Sequence, residues 1–148
     1  MQGSAHLDES WFSDVAYVIG FDSPEHNRAA KSCSGILLFD DEFFNSNIKD
    51  VAEKHGVTSF RYEPYTDVVN IRKKTDIICM NFGNGGYHPH QKSEYVMLSE
   101  MSEAEALGNE LINTIPLNKQ YKLDANQRQQ YSWTPSYSTT SSWGSWRT

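Results

Sequence analysis

Apolar positions along the chain fall into short continuous runs separated by stretches of helical spacing. Val15 to Phe21 is apolar throughout, a pattern that predicts a strand buried on both faces of a helix-covered sheet. Gly35 to Phe39, Val57 to Tyr62 and Asp76 to Phe82 are further strand candidates. Asp40 and Asp41 stand where a helix start favours acids, and Phe43, Phe44, Ile48, Val51 and Ala52 follow at roughly helical spacing. That helix is expected to stop at His55-Gly56, where glycine supplies a left-handed cap. A short helix is predicted over Val68 to Lys74. A longer one begins at Ser99, with Met101, Ala104, Leu107, Leu111, Ile112 and Ile115 on one face and Pro116 as its stop. Strands alternating with helices imply an α/β sandwich.

Composition divides the chain in two. Residues 1–118 mix apolar runs and charges as a folded domain does, and a chain of 148 residues is long enough for a real core. From Lys119 to Thr148 the periodicity stops, and Ser132 to Trp146 is nearly all Ser, Thr, Trp and Tyr. Such a segment buries too little surface to offset chain entropy, so residues 119–148 read as a flexible tail. Its aromatics, among them Tyr131, Trp133, Tyr137, Trp143 and Trp146, either anchor a partner surface or have no role.

The formal net charge is −6, and the longest basic stretch is Arg72-Lys73-Lys74, which argues against a nucleic-acid partner. No apolar run reaches the roughly 18–20 residues of a membrane span. Met1 to His6 lacks the charged start and apolar core of a secretory signal, and a cytoplasmic location is expected. Cys33 and Cys79 lack metal-ligand spacing. Free buried thiols in a reducing compartment are expected, with one disulfide as the alternative.

Chemistry concentrates in the run Gly83-Asn84-Gly85-Gly86-Tyr87-His88-Pro89-His90-Gln91-Lys92-Ser93-Glu94-Tyr95-Val96. Glycines allow close backbone approach to a ligand, and neutral imidazole is the commonest zinc ligand. His90 is the candidate ligand, or else a solvated loop histidine. His88 lies two residues away, with Pro89 biasing it toward extended geometry. Glu94 either orients an imidazole or is an ordinary acid at a strand start. Asp22 ends the first strand, where residues line the ligand crevice of an open α/β sheet. It can hold a metal, or begin a surface turn through Ser23, Pro24 and Glu25. Asp67 lies at a strand-to-helix junction, as a helix-capping acid or as a carboxylate beneath a metal site. His6-Leu7-Asp8 is rejected as a metal pair because no buried strand precedes it. No serine sits in a glycine-flanked elbow, which leaves a serine nucleophile unsupported.

These segments together resemble the C-terminal half of the catalytic domain of zinc-dependent aminopeptidases and tripeptidases. Gly3 to Phe12 is similar to the segment after the family's paired glutamates, and Val15 to Asp22 to the strand ending in its aspartate ligand. Tyr65 to Val69 and Asn81 to Val96 are similar to the segment before the last inner strand and to the final histidine loop. The resemblance spans Gly3 to about Ile115 and implies a three-layer αβα sandwich with a mixed sheet, part of the zinc-exopeptidase fold. It implies up to two zinc ions, with Asp22 on one and His90 on the other. Asp67, Gly85, Gly86, Tyr87, His88 and Glu94 would lie behind the ligands or in the substrate pocket. The implied reaction is peptide hydrolysis by a metal-activated water, on a peptide substrate.

The interval from Asp22 to Asp67 is too short for an inserted dimerisation domain, which points to the compact aminopeptidase type. No residues match the family's first histidine, bridging aspartate or paired glutamates. Ser23 and Pro24 replace the arginine usual after the aspartate, and His88 stands where relatives often have asparagine. Two ligands leave a zinc site incomplete. The chain is therefore expected to carry no catalytic residue of its own and to be inactive when isolated. A second chain carrying the N-terminal half would complete the enzyme. The alternative is an inactive, peptidase-derived binding or assembly module.

Overall fold

The computed structural model describes residues 2–123. Its sheet begins with β1 (Val18–Ser23), which pairs in parallel with β5 (Cys79–Gly83). On the other side of β5 runs β2 (Arg28–Cys33), antiparallel to it. β2 turns back into β3 (Ile36–Leu37) and also pairs in parallel with β4 (Ser59–Glu63). The sheet is thus mixed. β1 lies at its edge, bonded to β5 alone among the described strands. A separate two-stranded ribbon joins β6 (Gly86–Tyr87) to β7 (Tyr95–Val96).

Helices cover both faces, as successive β1 residues show. Side chains alternate across a strand, so Gly20 and Phe21 point to opposite sides. A Cβ on Gly20 would meet Val68 on α4 (Val68–Thr75), whereas the Phe21 ring lies against Gly108 on α5 (Leu98–Thr114). α4 also packs on α1 (Gln2–Ala5) and on the single turn Glu9–Phe12. On the other side α5 packs on α3 (Lys49–Lys54). Between the layers lie Leu38, Phe39, Ile48, Met80, Phe82, Leu107, Leu111 and Ile115, all essentially inaccessible to solvent.

The structure departs from the sequence-based expectation at several places. β1 has helices on both faces, as expected, but it is an edge strand and its Val18, Ile19 and Phe21 are only partly buried. β2 was not expected, because Arg28-Ala29-Ala30-Lys31-Ser32-Cys33 has no apolar run. The helix after Asp40 does form, and Asp40 caps it by accepting from the Phe43 amide at 2.7 Å. It runs through α2 (Asp41–Phe43), a π-helical stretch over Phe44–Ile48 and α3, and ends before Gly56 at φ +75°. On α5, Met101 and Ile112 are exposed, while Ala104, Leu107, Leu111 and Ile115 are buried. Packing also continues past the expected boundary at residue 118. The Gln120 side-chain amide donates to the carbonyls of Phe12, Ser13 and Val15, and the Tyr121 amide donates to Ala16 O at 2.8 Å. The aromatic residues from Tyr131 onward lie outside the described residues.

α3 and α5 are held together at Glu110, which accepts from Lys54 Nζ at 2.7 Å and contacts His55 Nε2 at 2.8 Å. Hydrogen bonds from Lys54 and then His55 hold the Glu110 carboxyl below its ordinary value. A depressed carboxyl stabilises the fold above its unfolded value, and that contribution disappears as pH falls through the folded one. Glu110→Gln is therefore expected to be less stable than the parent near neutral pH. In urea unfolding followed across pH, the gap should shrink as pH falls below the ordinary carboxyl range and through the lowered Glu110 value. No helix among the described residues is long and apolar enough to cross a membrane.

Candidate metal site

β1 and β5 are parallel neighbours, so the loops that follow them leave the sheet at the same end. The backbone sews those loops together. Asn84 N donates to Ser23 O at 3.0 Å, and Glu25 N donates to Gly86 O at 2.8 Å. The Asn84 side chain reaches both ways, donating to Phe21 O at 3.4 Å and accepting from Gly86 N at 2.8 Å. Such close approach requires glycine. A Cβ on Gly83 would run into the Glu25 carbonyl, and one on Gly85, at φ +76°, would lie 2.8 Å from Glu100 Cβ.

Asp22 is exposed at the end of β1, beside a register shift in the ladder. Its amide is bonded to the buried Asn81 Oδ1 at 3.1 Å instead of continuing the pairing with β5. Among the described residues its carboxylate makes no hydrogen bond or ion pair. The next residue, Ser23, is buried and donates to Glu63 Oε1 at 2.7 Å.

His88, Pro89 and His90 form the exposed turn between β6 and β7. Pro89 favours an extended His88, yet His88 has φ +53° and His90 φ +64°. The turn is closed by bonds that override this preference. His88 O accepts from Gln91 N at 3.2 Å, Gln91 O accepts from Glu94 N at 3.0 Å, and His90 N donates to Glu94 Oε2 at 3.1 Å. Glu94 thus grips the main chain of His90 and not an imidazole. The His88 ring lies edge-on to Tyr95, and its Nδ1 is 3.1 Å from Ser93 Oγ. The His90 imidazole has no polar partner among the described residues.

Tyr87 stacks on Tyr95 at 5.2 Å and donates its hydroxyl to the Glu100 carboxylate at 2.9 Å. That bond, more than burial, raises the phenol above its ordinary value and keeps it a donor. It ties the ribbon to α5. Asp67 stands at the start of α4 but does not cap it. Its carboxylate accepts from Ser4 Oγ at 2.6 Å, and Ser4 Oγ accepts in turn from Asn70 Nδ2.

The structure therefore joins the Asp22 loop to Gly85, Gly86 and Tyr87, keeps His88, His90 and Glu94 on one turn, and places Asp67 against α1. No three His, Cys, Asp or Glu side chains among the described residues gather into a group that could hold a metal. Sequence reasoning missed Asn81, Asn84 and Ser23 with Glu63. Asn81, polar within an otherwise apolar strand, was the available clue. The two thiols are buried and free, and burial pushes that of Cys79 up to about 12. No protein-family model, curated protein or solved structure matches the chain.

Proposed function

We propose that this chain supplies one part of a di-zinc exopeptidase site, with Asp22 on one ion and His90 on the other, and that another polypeptide brings the remaining ligands and the general base. The observation that supports this reading most is the joined pair of loops at one end of the sheet. They carry an exposed carboxylate and an exposed imidazole that are free of polar partners among the described residues. β1, which leads to Asp22, lies at the open edge of the sheet, where a further strand can add. The zinc-exopeptidase arrangement and a cytoplasmic location belong to the same proposal. In it, zinc lowers the pKa of a bound water for attack on a peptide carbonyl, while this chain orients one ligand per ion.

The test is purification of the full chain from its own host, with metal analysis and mass spectrometry of what accompanies it. The expected result is a stoichiometric partner bearing a His-x-Asp pair and adjacent glutamates, with zinc bound. Asp22→Ala and His90→Ala should each cut zinc content without dispersing the complex. A zinc-free chain that purifies alone would sink the proposal. A second reading, a non-catalytic binding module, is favoured by the exposed apolar run Tyr95, Val96, Met97 and Leu98 beside the site. It requires that partner binding survive both alanine substitutions unchanged.

A further inference from the structure

A polar cleft lies at the opposite end of β5 from the histidine turn. It has a volume of about 340 Å³, within the size range of small-ligand pockets. One wall is the helical segment bearing Asp40, Glu42, Phe43, Ser46 and Asn47, and the other is the segment bearing Lys119, Tyr121 and Lys122, with Ile78 at the base. Ile78 precedes β5, and the glycine loop follows it. The two sites are thus about 17 Å apart along the strand.

The charges on the two walls differ in sign. Lys119 and Lys122 line the cleft from one segment, and Asp40 and Glu42 from the other. Neither lysine is ion-paired among the described residues, and Lys119 Nζ lies 4.7 Å from the centroid of the Tyr121 ring. Tyr121 meets Phe43 edge-on, with centroids 5.0 Å apart. This gives the cleft an aromatic surface between its cations and its carboxylates.

The main chain of both walls is fixed before any ligand arrives, while the charged side chains of Lys119, Lys122 and Glu42 are exposed. The lysine wall is held by the bonds from Tyr121 N to Ala16 O and from Ile78 N to Tyr121 O, each 2.8 Å, and by Leu123 N to Asp76 O at 3.0 Å. The acidic wall is held by the Asp40 cap on Phe43 N and by Asn47 Nδ2 donating to Phe43 O. A main chain held in this way limits the entropy lost on binding to that of the side chains. An anion alone would meet the two carboxylates, and a cation alone would meet the two ammonium groups. A molecule carrying both charges, separated by a few bonds, satisfies both walls.

We propose that this cleft binds a small zwitterion of dipeptide size, with its carboxylate toward Lys119 and Lys122, its ammonium toward Asp40 and Glu42, and an aromatic side chain against Tyr121. The site is independent of Asp22 and His90 and does not rest on the peptidase reading.

The test is titration of the full chain with glycyl-L-tyrosine, followed by nuclear magnetic resonance shifts of the Lys119 and Tyr121 amides. Saturable binding is expected. Acetylating the peptide's amine, amidating its carboxylate, or making the Lys119→Ala/Lys122→Ala double variant should each weaken it about tenfold, as loss of one charge-assisted contact does. Glu42→Gln should weaken the free dipeptide but not its acetylated form. Asp22→Ala should leave binding unchanged. The proposal is overturned by an absence of saturable binding, by equal affinity for the capped peptides, or by indifference to the lysine substitutions.

Discussion

Gly83→Ala is expected to lower stability by about 3 kcal/mol or more, because the new methyl meets backbone and not a side chain that can rotate away. Its Cβ would overlap the Glu25 carbonyl group and lie 3.2 Å from His26 Cα. Relief requires the β1–β2 loop to lift off β5. That movement breaks the bonds from Asn84 N to Ser23 O and from Glu25 N to Gly86 O. The urea midpoint measures the cost, and faster amide exchange at Glu25 and Asn84 locates it. Gly3→Ala is the control, since nothing lies within 4 Å of a Cβ there. A Gly83→Ala loss no larger than the Gly3→Ala loss would mean that the two loops do not touch in solution, and the candidate metal site would lose its geometric basis.

Phe82→Ala is expected to cost about 3–5 kcal/mol, the range for removing a fully buried aromatic side chain. Phe82 occupies the middle of the sheet, level with Phe21 on one side and Ala29 on the other. Its ring centroid is 5.9 Å from that of Phe21. Ala29 is too small to fill the cavity, and β1 and β2 are fixed by their ladders. Domains of this size are stable by only about 5–15 kcal/mol, so much of the folded population is at stake. Phe82→Leu should cost clearly less, because most of the volume is kept. Thermal unfolding of the two variants side by side decides the point. Equal losses would indicate a site that collapses freely, contrary to the packing described.

Local composition announced the elements that decide their own structure. Asp40, the spacing through Ala52 and the glycine at 56 are local signals, and the helix appeared where they place it. Its π-helical stretch was not legible. It accompanies Asn45 and Asn47, whose amides bond back to Asp41 O and Phe43 O, a choice that depends on how Phe43 and Phe44 pack. β2 was invisible for the opposite reason. Ala, Lys and Ser have little preference for strands, and this segment is one only because β5, β3 and β4 supply its partners. For β1 the apolar run was read correctly as a strand, but sheet order is not a local property, and the strand fell at the edge. The site shows the same division. That Asp22 lies near the carboxyl end of a strand was readable, though the strand runs on through Ser23. The left-handed pair around Pro89, the attachment of Glu94 to a main-chain amide and the Asp67–Ser4 bond come from contacts distant in sequence or from turn closure.

The pairing of β1 with β5 has a consequence for how the chain is made. β1 is complete at Ser23, but its neighbour begins only at Cys79, and the Gln120 amide must arrive to bind the carbonyls before β1. At translation speeds of about 5–20 residues per second, the apolar segment ending at Phe21 waits roughly 3–12 s for its partner strand. Native pairing across so long a stretch of chain also places refolding toward the slow end for small domains. During synthesis, therefore, the same strand that carries Asp22 is an apolar surface on which a chaperone can act while β5 is still to come.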